Sequence, residues 1–251
     1  MWRRRQAMNL RPTHKQNLDK EVSANGSAPW SGQLEVRHGW AVWRGAVGDA
    51  DPHCHFAAQA VISDASALVS GSDRYVAGCL LIEPLVPHRL EPCGHAELLF
   101  IDPTLCRTSE IPLPPGILAG GTVIGGGERS FWRAWRSGRR SAEASFDPRV
   151  DDTLALIDCQ LTEEHLSLAC AARAAGLSAD RLRHLFMQEV GLPFRRYVLW
   201  RRVGLAVAAI GAGATVTQAA HGAGFADASH FARTLKAMFG VTASATLTTH
   251  P

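Results

Sequence analysis

Acidic residues are scarce in the last third of this chain. From His165 onward only Asp180, Glu189 and Asp227 are negative, against nine cations: Arg173, Arg181, Arg183, Arg195, Arg196, Arg201, Arg202, Arg233 and Lys236. Over all 251 residues the formal charge is only +3, so the total says little, while the distribution places a basic footprint on one region. Such a footprint fits an acidic partner. Any run of about 18 apolar residues is also missing, which removes a membrane-spanning helix from consideration. The six cysteines (Cys54, Cys79, Cys93, Cys106, Cys159 and Cys170) form no Cys-x-x-Cys pair, and no secretory apolar region follows the start. A disulfide framework is therefore not expected, and the chain reads as a protein of the reducing cytoplasm. Finally, no Gly-Lys-Ser/Thr follows the glycines between Pro112 and Gly127, which excludes a phosphate-binding loop.

What is present divides into regions. With 46% hydrophobic residues the chain can bury a sizeable core, and its length suits two domains. Residues 1–28, with Arg3, Arg4 and Arg5 and no apolar periodicity, read as a disordered basic arm. From 33 to 110 the texture is strand-length apolar runs: Trp40 to Trp43, Ala58 to Ile62, Ala67 to Val69, Tyr75 to Ile82 and Leu98 to Ile101. Gly48-Asp49, Ser63-Asp64 and Gly71-Ser-Asp73 supply the expected turns, so this region predicts a small β-barrel or sandwich. Residues 111–149 read as a linker, within which Phe131 to Arg140 predicts a short amphipathic helix. Residues 150–247 predict an all-α domain.

Within that last region one pattern is written twice, at about 166–187 and 216–239. Each copy has an Ala-rich helix, a break at Gly176 or Gly224, a capping Ser178 or Asp227, and a second helix with one polar face. In the first copy Leu182, Leu185, Phe186 and Val190 share the apolar side, leaving Asp180, Arg183, His184 and Met187 outward. In the second, Phe231, Leu235, Met238 and Phe239 face in, and Ser229, Ala232, Arg233 and Lys236 face out. A helix of this kind fits a DNA major groove, where arginine contacts guanine N7 and O6. Arg183 and Arg233 are the leading base readers, and Asp180, His184, Ser229, His230 and Lys236 join them as candidates. Between the copies, Pro193 to Ile210 predicts a rod of about 24 Å, long enough to hold two reading helices in successive grooves.

These residues resemble the DNA-binding domain of the AraC/XylS family of bacterial transcription regulators. The resemblance is carried by Gly176-Leu-Ser178, Leu182, Leu185-Phe186, Gly191, Tyr197, Arg202-Val203, Ala206, Ala219-Ala220, Gly224-Phe225, Phe231, Arg233, Lys236 and Phe239-Gly240. Three departures stand against it: Ala243 where the family has Pro, Leu235 where Phe is usual, and Gly204 inside the central helix. Upstream, His53-Cys-His55 with Gln59, then Pro84-Leu-Val-Pro-His88, resembles the two histidine motifs of the cupin barrel. The resemblance implies an α+β chain: a cupin-like ligand-sensing or dimerisation barrel, then a seven-helix domain with two helix-turn-helix units. It also implies double-stranded DNA and a small-molecule effector as partners, with RNA polymerase and a second copy of the chain as further candidates. Three histidines can bind a metal, but Gln59 stands where enzymatic cupins offer Glu, so the expectation is that His53, His55 and His88 line a ligand pocket and that no cofactor is held. The competing readings are a metal-dependent cupin enzyme with a degenerate helical appendage, and an interaction module that does not bind DNA.

Overall fold

The computed structural model describes residues 28–37, 39–108, 116–119 and 145–241. The basic arm and the Phe131 to Arg140 segment lie outside these residues, as does Ala243. Seven strands form one curled antiparallel sheet: β1 (Ser31–Arg37), β2 (Trp40–Val47), β3 (Ala58–Ser70), β4 (Asp73–Ile82), β5 (Arg89–Leu90), β6 (Cys93–Ile101) and β7 (Ile117–Ala119). The strand order is β1-β2-β6-β3-β4-β7, with β5 added to β3.

Two details differ from expectation. Ser63-Asp64 is not a turn: β3 continues through it, and the pairing with β4 shifts register between Ile62 and Ser66. A β-bulge absorbs polar residues that in sequence resemble a strand end. The stretch read as linker also contains β7, which pairs Ile117 with Ile82 at the sheet edge. Three residues beside Gly116 suffice because the partner strand supplies the register.

Alternation along the strands sorts the core into two faces, since successive side chains point oppositely. Val42, Ala58, Ala60, Leu81, Leu99 and Ile101 pack on one face, closed by Leu105 and Cys106 of helix α1 (Pro103–Thr108). Trp43, Val61, Leu80, Ile82, Leu98 and Phe100 lie on the other face, and their cluster runs without interruption into the helical domain. Six helices build that domain among the described residues: α2 (Pro148–Gln160), α3 (Leu168–Ala174), α4 (Ala179–Val190), α5 (Phe194–Gly211), α6 (Val216–Gly222) and α7 (Ala228–Phe239). The 18 residues of α5 make a rod of about 27 Å. Val203, Ala206 and Ile210 are buried on it, and Gly204 sits in its interior with open space where a Cβ would stand.

Candidate nucleic-acid interface and interdomain cavity

Each helix-turn-helix unit is set by local hydrogen bonds that its own sequence supplies. Ser167 caps α3 by accepting from the Cys170 N–H, and Ser178 caps α4 by accepting from the Arg181 N–H. In the second unit Thr215 and Gln218 form a reciprocal capping box on α6, and the Asp227 carboxylate accepts from the His230 N–H at 2.6 Å on α7. That bond lowers the Asp227 pKa below the usual carboxylate value. Between the helices of each pair the chain reverses at Gly176 (φ +66°) and Gly224 (φ +77°), and the N–H three residues past the first helix returns to it: Leu177 to the Ala172 carbonyl, Phe225 to that of Ala220. Arg202 of α5 clamps the second turn by donating to the carbonyls of Gly224, Leu161 and Glu163.

The outward faces carry most of the expected readers. Asp180, Arg183 and His184 are exposed on α4, and Arg183 forms an ion pair with Asp180 one turn away. Ser229 and Arg233 are exposed on α7. His230 is half-buried and stands edge-on to Phe225 at 5.3 Å, so its ring packs against the turn. Lys236 reaches away to the β domain, where it pairs with Asp51 at 2.9 Å. Of the nine cations after His165, Arg201 is likewise engaged internally, with Asp158 at 2.7 Å, and Arg202 is spent on the carbonyls just named. The exposed cations are therefore Arg173, Arg181, Arg183, Arg195, Arg196, Arg233 and the Asp51-paired Lys236.

Both α4 and α7 are docked on the sheet domain. The Arg107 guanidinium of α1 donates to the Gln188 and Glu189 carbonyls in the last turn of α4, where orphan acceptors and the helix dipole favour a cation. At the end of α7 the Asp51 N–H donates to the Gly240 carbonyl at 2.9 Å. Gly240 lies at φ +69°, and a Cβ there would come within 2.3 Å of the Asp51 carbonyl oxygen and 2.5 Å of His53 Nδ1. No other residue type fits so close an approach in the left-handed region. A third tie is buried: the Trp200 indole N–H of α5 donates to Asp102 at 2.9 Å. Sequence reading did not single out Asp51, Asp102 or Arg107, because their partners lie some 80 to 190 positions away.

A cavity of about 520 Å³ lies at this seam. Trp30, Trp43, Leu98, Trp200, Leu235 and Phe239 give it a mainly apolar lining. The Trp43 indole N–H is buried with no hydrogen-bond partner among the described residues, a donor left over at the wall. Of the three histidines expected in a pocket, His53 and His55 line this cavity, and His88 stands beside them outside its lining. His53, His55 and His88 are all buried, with a ring nitrogen from each within 4.8 Å of the others. Gln59 stands beside them, its Oε1 at 3.0 Å from His88 Nε2. The Phe239 ring of α7 covers His55 at 5.1 Å. Burial lowers all three histidine pKa values; His88 is pushed down to about 4, first by burial and then by the neighbouring His53.

Residues 171–249 match the helix-turn-helix domain family. Over 101 residues the chain is 34% identical to the transcriptional activator RhrA of Rhizobium meliloti (strain 1021), an alignment covering 39% of this chain and 30% of RhrA. The chain thus spans about a third of that relative. Its fold is similar to that of ToxT from Vibrio cholerae, with a TM-score of 0.53 at 12% identity over 82% of this chain and 97% of ToxT. Wild-type ToxT in its unsaturated fatty acid bound form aligns with a TM-score of 0.51 at 13% identity, over 83% of this chain and 94% of that one. At these identities the likeness shows the fold: a curled β domain followed by a helical domain with paired helix-turn-helix units.

Proposed function

On the premise that residues 171–249 form a helix-turn-helix domain of the AraC/XylS type joined to a ToxT-like β domain, we propose that this chain is a ligand-responsive, sequence-specific regulator of transcription. The observation that carries the reading is the doubled unit with both turns and all four caps intact, each presenting an exposed polar face. Arg183 and Arg233 read bases from the two faces, supported by Asp180, His184 and Ser229. Lys236 joins them when its pair with Asp51 opens, and His230 sets the turn beneath. Because the two faces differ, one chain reads an asymmetric site of two unlike half-sites in successive major grooves.

The cavity takes the effector: a small, mostly apolar molecule with one acceptor for the Trp43 indole. That ToxT has been solved with an unsaturated fatty acid supports this class of ligand. Contact with RNA polymerase and pairing of two chains through the β domain belong to the same reading, as does a place on the nucleoid. Among the described residues no helix is long and apolar enough to cross a membrane. The intact second unit weighs against the catalytic and non-binding alternatives. Selection of bound sequences from a random DNA library tests the proposal. Wild type should enrich one bipartite motif, and the Arg183→Ala, Arg233→Ala pair should abolish it, each arginine being worth about 1 to 3 kcal/mol. No enrichment at low salt would overturn it.

A further inference from the structure

Gly204 is the one glycine inside a helix among the described residues, since Gly211 and Gly222 end theirs. Glycine weakens a helix interior, and two reasons usually keep it there: a positive φ or the close approach of another group. Neither holds at Gly204. Its φ is not positive, and no described atom lies within 4 Å of the place where a Cβ would stand. What Gly204 does have is a position on the cavity wall. Arg201, Gly204, Leu205 and Ala208 are three and four residues apart on one face of α5, and all four line the cavity. The space left by the missing side chain therefore belongs to the cavity.

The same face marks where the cavity opens. Of its described lining residues only Arg37, Leu205 and Ala208 are exposed. Leu205, at 40% exposure, is one of the few large apolar side chains left in water among the described residues. The mouth thus lies between the end of β1 and the middle of α5, and half-buried Gly204 stands beside it. Deeper in, the charged groups are bonded within the protein: Asp102 accepts from Trp200 and Thr104, and Arg201 is held by Asp158 and Tyr197. An uncharged, apolar body suits such an interior, because a charge taken from water needs a partner of its own. We propose that Gly204, with Ala208 beside it, sets the width of an entrance between β1 and α5, and so decides the size of the apolar molecule that the cavity admits. The inference rests on the reading that the cavity takes an effector, and it adds the way in and the residue that limits it. Glycine at this point gives up helix stability for access.

The full-length chain is titrated with N-phenylnaphthylamine, a neutral apolar fluorophore that accepts energy from tryptophan, and Trp30, Trp40, Trp43 and Trp200 all line the cavity. Wild type should bind one probe molecule per chain, with energy transfer from tryptophan. Gly204→Leu should weaken binding by at least about tenfold, the least that one surplus methylene costs in an apolar pocket. Gly204→Ala should weaken it less while raising the unfolding midpoint, a pair of opposite effects that a merely structural glycine would not give. Gly211→Leu adds the same side chain to the same helix outside the cavity, and should leave the affinity unchanged. Equal affinity of Gly204→Leu and wild type overturns the entrance and leaves the effector reading standing, whereas no binding by the wild type overturns both. An equal loss in Gly211→Leu assigns the effect to α5 as a whole and also overturns the entrance. Should Gly204→Leu fail to fold, Gly204→Ala and Ala208→Leu decide, since both narrow the same mouth: unchanged affinity in the two overturns the proposal.

Discussion

Single atoms at two glycines set opposite expectations. Gly240 is pressed against Asp51 and His53 in the left-handed region, so Gly240→Ala must move the end of α7 off the β domain. A stability loss above about 1 kcal/mol in urea unfolding is expected from the backbone conformation alone. Gly204, inside α5 with nothing near its absent Cβ, should behave in reverse: Gly204→Ala is expected to stabilise by about 0.5 to 1 kcal/mol. A loss at Gly204 would mean that the cavity beside it cannot accept a methyl group. The Gly204 that departs from the family pattern is thus not required by the backbone. Lys236 illustrates a limit at this scale. Its spacing from Arg233 and Ser229 places it on the outward face, but its length lets it lean along the helix to a carboxylate from the other domain.

Helices here begin where short polar side chains let them. Ser178→Ala should cost about 1 kcal/mol of cap energy and fray the start of α4, lowering affinity for DNA without changing the preferred bases. Acid should act on α2 through its cap Asp147, which accepts from the Arg149 backbone and guanidinium. Its pKa falls from 3.8 to about 2, chiefly through the bond with the Arg149 side chain. The folded state thus binds the proton less readily than the unfolded one. The cap contribution is therefore complete above pH 3.8 and declines as pH falls toward 2. An Asp147→Asn variant should lose that slope, as read by acid unfolding followed by circular dichroism.

The caps Ser178 and Asp227 were legible in the sequence because cap, turn and apolar stripe are all written within a few residues of one another; Asp147, read as the end of a linker, was not. Much of the sheet was legible for the same reason, through strand-length apolar runs and the turn at Gly71. The bulge at Ile62 to Ser66 and the strand at Ile117 were not, since a partner strand far along the chain decides both. The histidine cluster was anticipated as a group, but the Asp51 and Val86 carbonyls that orient the His53 and His88 rings are placed by the fold, which no spacing encodes.

At the scale of the molecule, the two domains share one apolar core and meet at the ends of α4 and α7. If α4 and α7 read DNA together from one chain, the selected motif should contain two dissimilar half-sites about 10 bp apart. A symmetric motif would mean that two chains contribute one unit each. The contacts that hold these helices to the β domain have a further property. Arg107 grips the carbonyls of Gln188 and Glu189, and Asp51 grips that of Gly240, so most of the grip is on main-chain atoms at helix ends. Main-chain atoms are the same whatever side chains the helix carries. If the proposed function holds, the exposed residues of α4 and α7 other than Lys236 can therefore be exchanged, by drift or by design, while this main-chain fastening stays as it is. A chain with the exposed residues of α4 and α7 transplanted from another regulator should recognise new promoters and still obey its old signal.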